Sequence, residues 1–317
     1  MTVPKSYKIL VIGATGFIGA NLVRRLIEGN EVHIITRMSS DKWRLTNILS
    51  DLKDHTVDLL NEEKLKDLVK QIKPEVIFHL ATSGMYGGVH ASEKEVIETN
   101  FLGTVNLINA CKDIDYKCFV NTGSSSEYGP KKYPMKETDL CEPVNIYGIS
   151  KCSATLYGNL IARTKGKPII TFRLFSPFGP YDDKSRLMTY AITNALQNKT
   201  LMLANPNSVR DYIYIEDVLD LYEQSIEFAS EFKGEIFNVG NGSQKATSYI
   251  VNKIIEITKS ESDIKWDSFP GREHDTDKWE ADIEKVRKYF NWQPKYHIDE
   301  GIADTIMWFE NNLALYK

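Results

Sequence analysis

The sequence predicts a doubly wound α/β fold on a parallel sheet, with a smaller α/β substrate lobe interleaved toward its C-terminal end. Three observations predict it. Residues 8–37 run strand, glycine turn, helix, strand. Short apolar runs then alternate with amphipathic stretches. The 317 residues are also long for one simple domain.

Lys8–Ile12 is an apolar run bounded by glycine, suited to a buried parallel strand. Phe17, Ile18, Leu22, Val23, Leu26 and Ile27 recur at helical spacing until Glu28-Gly29-Asn30 ends the helix. Glu31–Thr36 is the second strand. Between the first strand and the helix stand Gly13, Gly16 and Gly19. Gly13 permits a tight turn, Gly16 lets backbone approach a pyrophosphate, and Gly19 lets helix and strand sit close. Gly13, Thr15, Gly16, Phe17, Ile18 and Gly19 thus form a candidate dinucleotide cradle at a helix N-terminus.

The second strand ends at Arg37, where an NAD-binding unit would place an acid for the ribose 2′-OH. Arg37, Ser39 and Ser40 suit a 2′-phosphate instead, because a guanidinium pairs with phosphate oxygens in bidentate fashion. The expected cofactor is NADP(H); a solvated surface arginine is the plainer alternative.

Residues 41–52 read as a short helix and Asp54–Val57 as the third strand. Asn61 caps a helix over Glu62–Ile72, stopped by Lys73-Pro74. Val76–Leu80 is the fourth strand, in which His79 reads as a core residue. Ser92–Cys111 is a long amphipathic helix carrying Asn100 in its middle, an unfavourable place without a specific role. Tyr116–Asn121 is the fifth strand, Ser150–Arg163 continues a helix, and Pro168–Leu174 is the sixth strand. A helix over Leu187–Gln197, a strand end at Phe237–Gly240 and a closing helix over Ile298–Leu315 follow. These place residues 1–175 and 211–240 in the cofactor domain, and 176–210 and 241–317 in the substrate lobe.

Composition limits the partners. Hydrophobic content of 42%, charged content of 26% and a net charge of −4 describe an ordinary globular chain with no general pull toward nucleic acid or acidic membranes. No apolar run reaches the ~18 residues of a membrane span, and MTVPKSY contains no signal-peptide core. Cys111, Cys118, Cys141 and Cys152 lack metal-ligand spacing and read as reduced thiols of a cytoplasmic protein. No metal site is expected.

The fifth strand runs into Thr122-Gly123-Ser124-Ser125-Ser126-Glu127-Tyr128-Gly129. A serine cluster at the C-terminal end of a strand is either a polar turn or a set of donors to a substrate oxygen, and the residues alone leave both open. Tyr147 and Lys151 stand at i and i+4, on one helix face. An ammonium there lowers a phenol from its usual ~10 toward useful acid/base chemistry.

In this order, GATGFIG, the serine turn and YGISK resemble the extended short-chain dehydrogenase/reductase superfamily across essentially the whole chain. The resemblance implies a Rossmann-type fold and assigns roles position by position. Ser124, four residues before Tyr128 in S-x-x-x-Y-G, would be the catalytic serine, Tyr147 the acid/base, and Lys151 the residue that tunes it and holds the nicotinamide ribose. Asp58 and Leu59 would hold the adenine; Leu80, Ala81, Thr82 and Thr122 would line the cofactor, and Asn100 in ExNxxGT would steady the site. Tyr86 in a glycine-rich loop, with Ser124, Ser125 and Ser126, would face substrate. Arg210 of RDYIYIEDV, Arg272 of PGRE and Arg186 would bind a nucleotide diphosphate. Ser176 stands where the family's FxNxYGP segment has asparagine.

SSSEYG, PMKETD and RLFSPFGP look most like the nucleotide-sugar 4-ketoreductases that make CDP-abequose and CDP-paratose. That likeness implies NADPH-dependent reduction of a nucleoside-diphosphate 4-keto-6-deoxysugar, giving a deoxysugar for bacterial surface polysaccharide. An NAD-dependent nucleotide-sugar 4-epimerase is the alternative. The 4,6-dehydratases carry an Asp-Glu or x-Glu pair directly after the serine or threonine; here Ser125 and Ser126 stand at those two positions, and Glu127 comes one place late. A non-catalytic NADP-sensing regulator would tend to lose the Tyr147/Lys151 pair. A homodimer through the Ser92–Cys111 and Tyr147–Arg163 helices is implied by the resemblance.

Overall fold

The computed structural model describes residues 7–84, 91–269 and 277–316. The chain opens with β1 (Lys8–Ile12), α1 (Phe17–Leu26), β2 (Glu31–Thr36), β3 (Lys53–Thr56), α2 (Glu62–Ile72) and β4 (Val76–His79). Then come α3 (Glu93–Ile97), α4 (Gly103–Ala110), β5 (Cys118–Ser124), α5 (Ile146–Lys165), β6 (Ile169–Leu174) and β7 (Ser176–Phe178). The remainder is α6 (Leu187–Ala195), β8 (Leu201–Met202), β9 (Val209–Tyr214), α7 (Ile215–Phe228), β10 (Ile236–Val239), β11 (Gln244–Ala246), α8 (Thr247–Thr258), β12 (Ile264–Lys265), α9 (Glu284–Phe290) and α10 (Ile298–Asn312).

Seven strands form one parallel sheet in the order β3-β2-β1-β4-β5-β6-β10. The order reverses between β1 and β4, which opens a crevice at the strands' C-terminal ends. Alternate residues feed two apolar cores, as a sheet covered on both faces requires. Leu10, Ile12, Ile77 and Phe119 pack with α2 and α4, while Ile9, Val11, Phe78 and Val120 pack with α1 and α7. This is a Rossmann-type α/β fold.

A three-stranded sheet, β11-β9-β7, and the pair β12-β8 build the second region. Val209–Tyr214 therefore pairs outside the large sheet, although the sequence division put residues from 211 onward within it; Ile236–Val239 forms its edge strand.

Four local expectations need correction. Residues 41–52 form two 3-10 turns, Trp43–Leu45 and Leu49–Asp51; the buried Leu45 and Leu52 stand seven residues apart, and neither turn runs on into an α-helix. Helices α3 and α4 are joined by a π-helical turn over Glu98–Leu102, so the Ser92–Cys111 helix is not uniformly α. Strand β5 extends to Ser124 because its ladder with β6 continues to the Ser124–Leu174 pair. Helix α10 ends at Asn312, and Leu313–Tyr316 tightens into a 3-10 turn. The Asn61 cap is present: its side chain accepts from Lys64 N at 3.1 Å.

Candidate active site

The glycine turn has the shape a dinucleotide requires. Gly13 takes φ +88°, and a Cβ on it would lie 2.5 Å from Ala81 N. A Cβ on Gly19 would lie 2.2 Å from Gly13 O, so only glycine lets α1 sit this close to the turn. At Gly16 a side chain would meet only Gly13 O at 3.3 Å; the rest is open, and the residue is exposed as the N-cap of α1 without a side-chain cap. This cradle fits a pyrophosphate against the first turn of α1, at Phe17 and Ile18.

Leu80 N donates to Ile12 O at 2.7 Å and holds the end of β4, with Ala81 and Thr82, beside that turn. Past β2, Arg37 is exposed; its N donates to Ser40 Oγ at 2.8 Å and Ser39 stands exposed between them. Asp58 is exposed after β3, while Leu59 is buried under α4, its carbonyl accepting from Asn106 Nδ2 at 3.0 Å. The Thr122 hydroxyl meets Tyr222 OH at 2.7 Å inside the core, which leaves the Thr122 backbone as the part that could line a cofactor.

Ser124 ends β5. Its Oγ accepts from Ser126 N at 3.1 Å, leaving its own hydrogen to donate outward. Below the turn lies Glu127, with 0% of its surface exposed. Its Oε1 accepts from Ser124 N at 2.8 Å and from Thr155 Oγ1 at 3.1 Å, and its Oε2 from Arg173 Nε at 2.7 Å. Every polar neighbour draws this carboxylate inward, away from any substrate.

Asn145 caps α5 by accepting from Gly148 N at 2.8 Å. A Cβ on Gly148 would lie 2.4 Å from Ser126 O, so the missing side chain lets the first turn of α5, which carries Tyr147, press on the serine turn. From the β4 side, Asn100 steadies the same helix. Its Nδ2 donates to Ser150 Oγ at 3.0 Å and to Ser83 O at 2.8 Å, and its Oδ1 accepts from Ser83 N at 2.7 Å. Ser150 Oγ in turn donates to Tyr147 O at 2.8 Å. Asn100 sits on the π turn, whose extra residue aims its side chain inward.

Lys151 is 5% exposed. Burial pushes its ammonium down to about 8, opposed by the Glu127 carboxylate. Burial, and to a lesser degree the nearby Lys151 charge, hold the His79 imidazole down at about 3, and its Nε2 is engaged with Thr104 Oγ1 at 2.8 Å. It is a neutral core residue and no acid or base.

A cleft of about 490 Å³ opens beside the serine turn, lined by Ser124, Ser125, Ser126, Ser176, Arg186 and Arg210. Its size suits a small-molecule ligand. Arg186 spans Asp182 Oδ1 (3.1 Å) and Pro177 O (2.9 Å), and Arg210 donates to Val209 O at 2.6 Å. Tyr86 and Arg272 lie outside the described residues.

Two contributors escaped the sequence reading. Trp279 donates from Nε1 to Ser125 Oγ at 3.1 Å, and the Arg210 guanidinium lies 5.3 Å from its ring centroid. Arg44 ties the glycine loop, through Thr15 O at 3.3 Å, to the segment after β7, through Tyr181 O at 2.7 Å. Both come from remote, mixed-polarity segments with no local pattern to flag them. Among the described residues no cluster of three His, Cys, Asp or Glu side chains suits a metal, and no helix is long and apolar enough to cross a membrane.

Residues 9–240 match the model of the NAD dependent epimerase/dehydratase family. The chain belongs to that family. It is 29% identical to the uncharacterized protein MJ1055 of Methanocaldococcus jannaschii, over 97% of this chain and 98% of the other. It is 26% identical to UDP-glucose 4-epimerase of Lactobacillus helveticus (98% and 99% covered) and 26% identical to dTDP-glucose 4,6-dehydratase 1 of Escherichia coli K12 (96% and 93%). Among solved structures, UDP-glucose 4-epimerase of Thermotoga maritima with UDP-glucose superposes with a TM-score of 0.86 at 26% identity, covering 96% and 99% of the two chains. UDP-N-acetylglucosamine 4-epimerase of Methanobrevibacter ruminantium M1, in complex with UDP-N-acetylmuramic acid, gives 0.87 at 25% identity, covering 98% and 100%.

Two tests follow from this geometry. Tyr147→Phe removes the hydroxyl proton and should lower kcat/KM by about 10²–10⁴-fold; full activity would refute the acid/base role. Lys151 has a folded-state value near 8 against ~10.4 unfolded, so between those values the unfolded chain holds a proton the folded chain has released. Its contribution to stability therefore improves as pH rises through that window, and at pH 7 the buried charge is carried at a cost. Lys151→Met should abolish turnover, raise stability at pH 7 by on the order of 2–3 kcal/mol, and flatten the rise in stability above pH 8. Denaturant titrations at pH 7 and 10 check this.

Proposed function

We propose that this chain uses NADPH to reduce the 4-keto group of a nucleoside-diphosphate 4-keto-6-deoxysugar. The end of β2 carries the reading. No acid stands there to receive a ribose 2′-OH; Arg37 is exposed, with the Ser39 and Ser40 hydroxyls in the turn beyond it. A guanidinium at that place pairs with a 2′-phosphate. Glu127 speaks against dehydration, since its carboxylate is buried and shared among three donors. Nucleotide-sugar relatives across the full chain supply the substrate class.

The bound nicotinamide supplies a hydride for the substrate's C4. Tyr147 Oη gives its proton to the carbonyl oxygen, and the Ser124 hydroxyl donates a hydrogen bond to the same oxygen. Hydride and proton together turn the ketone into an alcohol. The Lys151 ammonium would stabilise the phenolate left behind and would hold the nicotinamide ribose. Arg210 and Arg186 line the cleft where a diphosphate would lie, and Trp279 closes it beside Ser125.

A second reading is favoured by the relatives: a nucleotide-sugar 4-epimerase, the activity by which proteins 26–27% identical over 96% or more of this chain are named. It would use the same Ser124, Tyr147 and Lys151, with hydride returned to the opposite face of the sugar and no net cofactor consumption. Absorbance at 340 nm separates the two. The reductase should consume NADPH in step with one member of a panel of CDP-, dTDP- and GDP-4-keto-6-deoxysugars, and Arg37→Ala should raise KM for NADPH at least 10-fold while leaving that for NADH unchanged. Tightly retained NAD(H), released only on denaturation, without NADPH loss, would support the epimerase instead.

The same reading includes a homodimer. Ile97 and Leu102, beside Ile149, Leu156 and Leu160 on α5, expose a row of large apolar side chains. A second copy of this chain would cover them. Sedimentation should give a dimer for the wild type and a monomer for Leu156→Glu/Leu160→Glu; a monomeric wild type at micromolar concentration would exclude the arrangement.

A further inference from the structure

The loop from β7 to α6 holds a buried ion pair beside the cleft. Asp182 is 1% exposed. Its Oδ1 accepts from Asp183 N at 2.8 Å and from Arg186 Nη1 at 3.1 Å. Its Oδ2 is buried and has no hydrogen-bond partner among the described residues. Asp182 and Arg186 both line the cleft. The backbone around them is pinned at three successive carbonyls. Pro180 O accepts from Asn21 Nδ2 at 2.8 Å, Tyr181 O from Arg44 Nε at 2.7 Å, and Asp182 O from Tyr316 OH at 2.8 Å. Helix α1, the Trp43–Leu45 turn and the Leu313–Tyr316 turn thus hold the Asp182 side chain in its buried place.

A buried carboxylate with one oxygen unpaired keeps its charge only while a cation offsets it. Arg186 is that cation. Its guanidinium also donates to Pro177 O at 2.9 Å and lies 5.7 Å from the Phe17 ring centroid, over the first turn of α1. Arg44, 3.9 Å from Asp183, adds positive charge from the Trp43–Leu45 turn, and Asp183 adds negative charge. Burial pushes the Asp182 carboxyl up to about 6, against the Arg186 charge and the Asp183 N–H. A diphosphate in the cleft changes this balance. Its negative charge enters the same poorly solvated space, and the guanidinium must then offset two acids instead of one. A phosphodiester stays ionised near neutrality. Asp182 can take up a proton, and its unpaired oxygen becomes a hydroxyl.

We propose that Asp182 is a positioning residue for Arg186 that takes up a proton when a nucleoside diphosphate occupies the cleft. In the empty site the carboxylate aims the guanidinium; in the complex the neutral acid leaves the guanidinium's charge to the diphosphate. This role rests on the nucleotide-sugar reading above. The direction with pH follows from proton linkage. Between about 6 and the higher value in the complex, the complex holds a proton that the free protein lacks, so binding weakens as pH rises.

The test is titration calorimetry of the whole protein with CDP-, dTDP-, UDP- and GDP-glucose, whose diphosphates do not titrate near neutrality, in buffers of low and high ionisation enthalpy. For the sugar nucleotide that binds, the wild type should take up about one proton, and affinity should fall about 10-fold from pH 6.5 to 7.5. Asp182→Asn keeps an oxygen for Arg186 and should bind with neither the uptake nor the pH dependence. Lys151 and Asp211 also titrate near neutrality but are present in both proteins, so the difference between them reports Asp182. Arg186→Met is a second check: without the cation Asp182 is already protonated in the free protein, and uptake should vanish. Binding with the same heat in every buffer, or equal uptake in either variant, would overturn the proposal and leave the substrate class standing. Binding of none of the four by the wild type would overturn both.

Discussion

One buried carboxylate holds the site together. Glu127 accepts from Ser124 N at the end of β5, from Thr155 on α5 and from Arg173 on β6, so three elements meet on two oxygens. Gly123 makes room for it: a Cβ there would lie 2.6 Å from Glu127 Oε1. The Arg173 guanidinium satisfies the charge and is itself 2% exposed. Losing one partner of such a pair strands the other charge in the interior, at a cost of ~3–5 kcal/mol. The position of Ser124 against α5 depends on this arrangement.

Around that anchor the site divides by function. On the β4 side, Asn100 couples Ser83 to Ser150 and so ties the helix turn that carries Tyr147 and Lys151 to the end of β4. On the other side, Ser125, Trp279 and Arg210 shape the cleft from the second region. The proposed catalytic Ser124 ends β5 at the rim of that cleft, on the C-terminal edge of the sheet. Lys151 is buried with a depressed basicity, a stability cost that the proposed chemistry would explain.

How much of this could be read in the sequence varied with how local the signal was. The glycine spacing could be read because each glycine answers a steric demand within a few residues: a φ of +88° at Gly13 and a 2.2 Å approach at Gly19. Tyr147 and Lys151 could be paired because i and i+4 share a helix face. The depth of Lys151 could not, since spacing gives direction and not burial. Glu127 looked like an acid one place late; the ladder that runs β5 on to Ser124 turns it inward, which no local pattern announces. The π turn at Asn100 was legible as a motif and not as a geometry. Trp279 and Arg44 arrive from 154 and 29 residues away from the groups they touch, and long-range contacts of that kind leave no periodicity behind.

In the proposed reaction this site delivers hydride from an external nicotinamide to C4 of a nucleotide-linked sugar. The most direct measurement is label transfer from NADPH carrying deuterium at the transferable position of nicotinamide C4, followed by NMR of the sugar product. The account predicts one deuterium at sugar C4 for each cofactor oxidised, and none when Tyr147→Phe is used. A product whose C4 hydrogen comes from the substrate itself, with the label left in the cofactor, would contradict it.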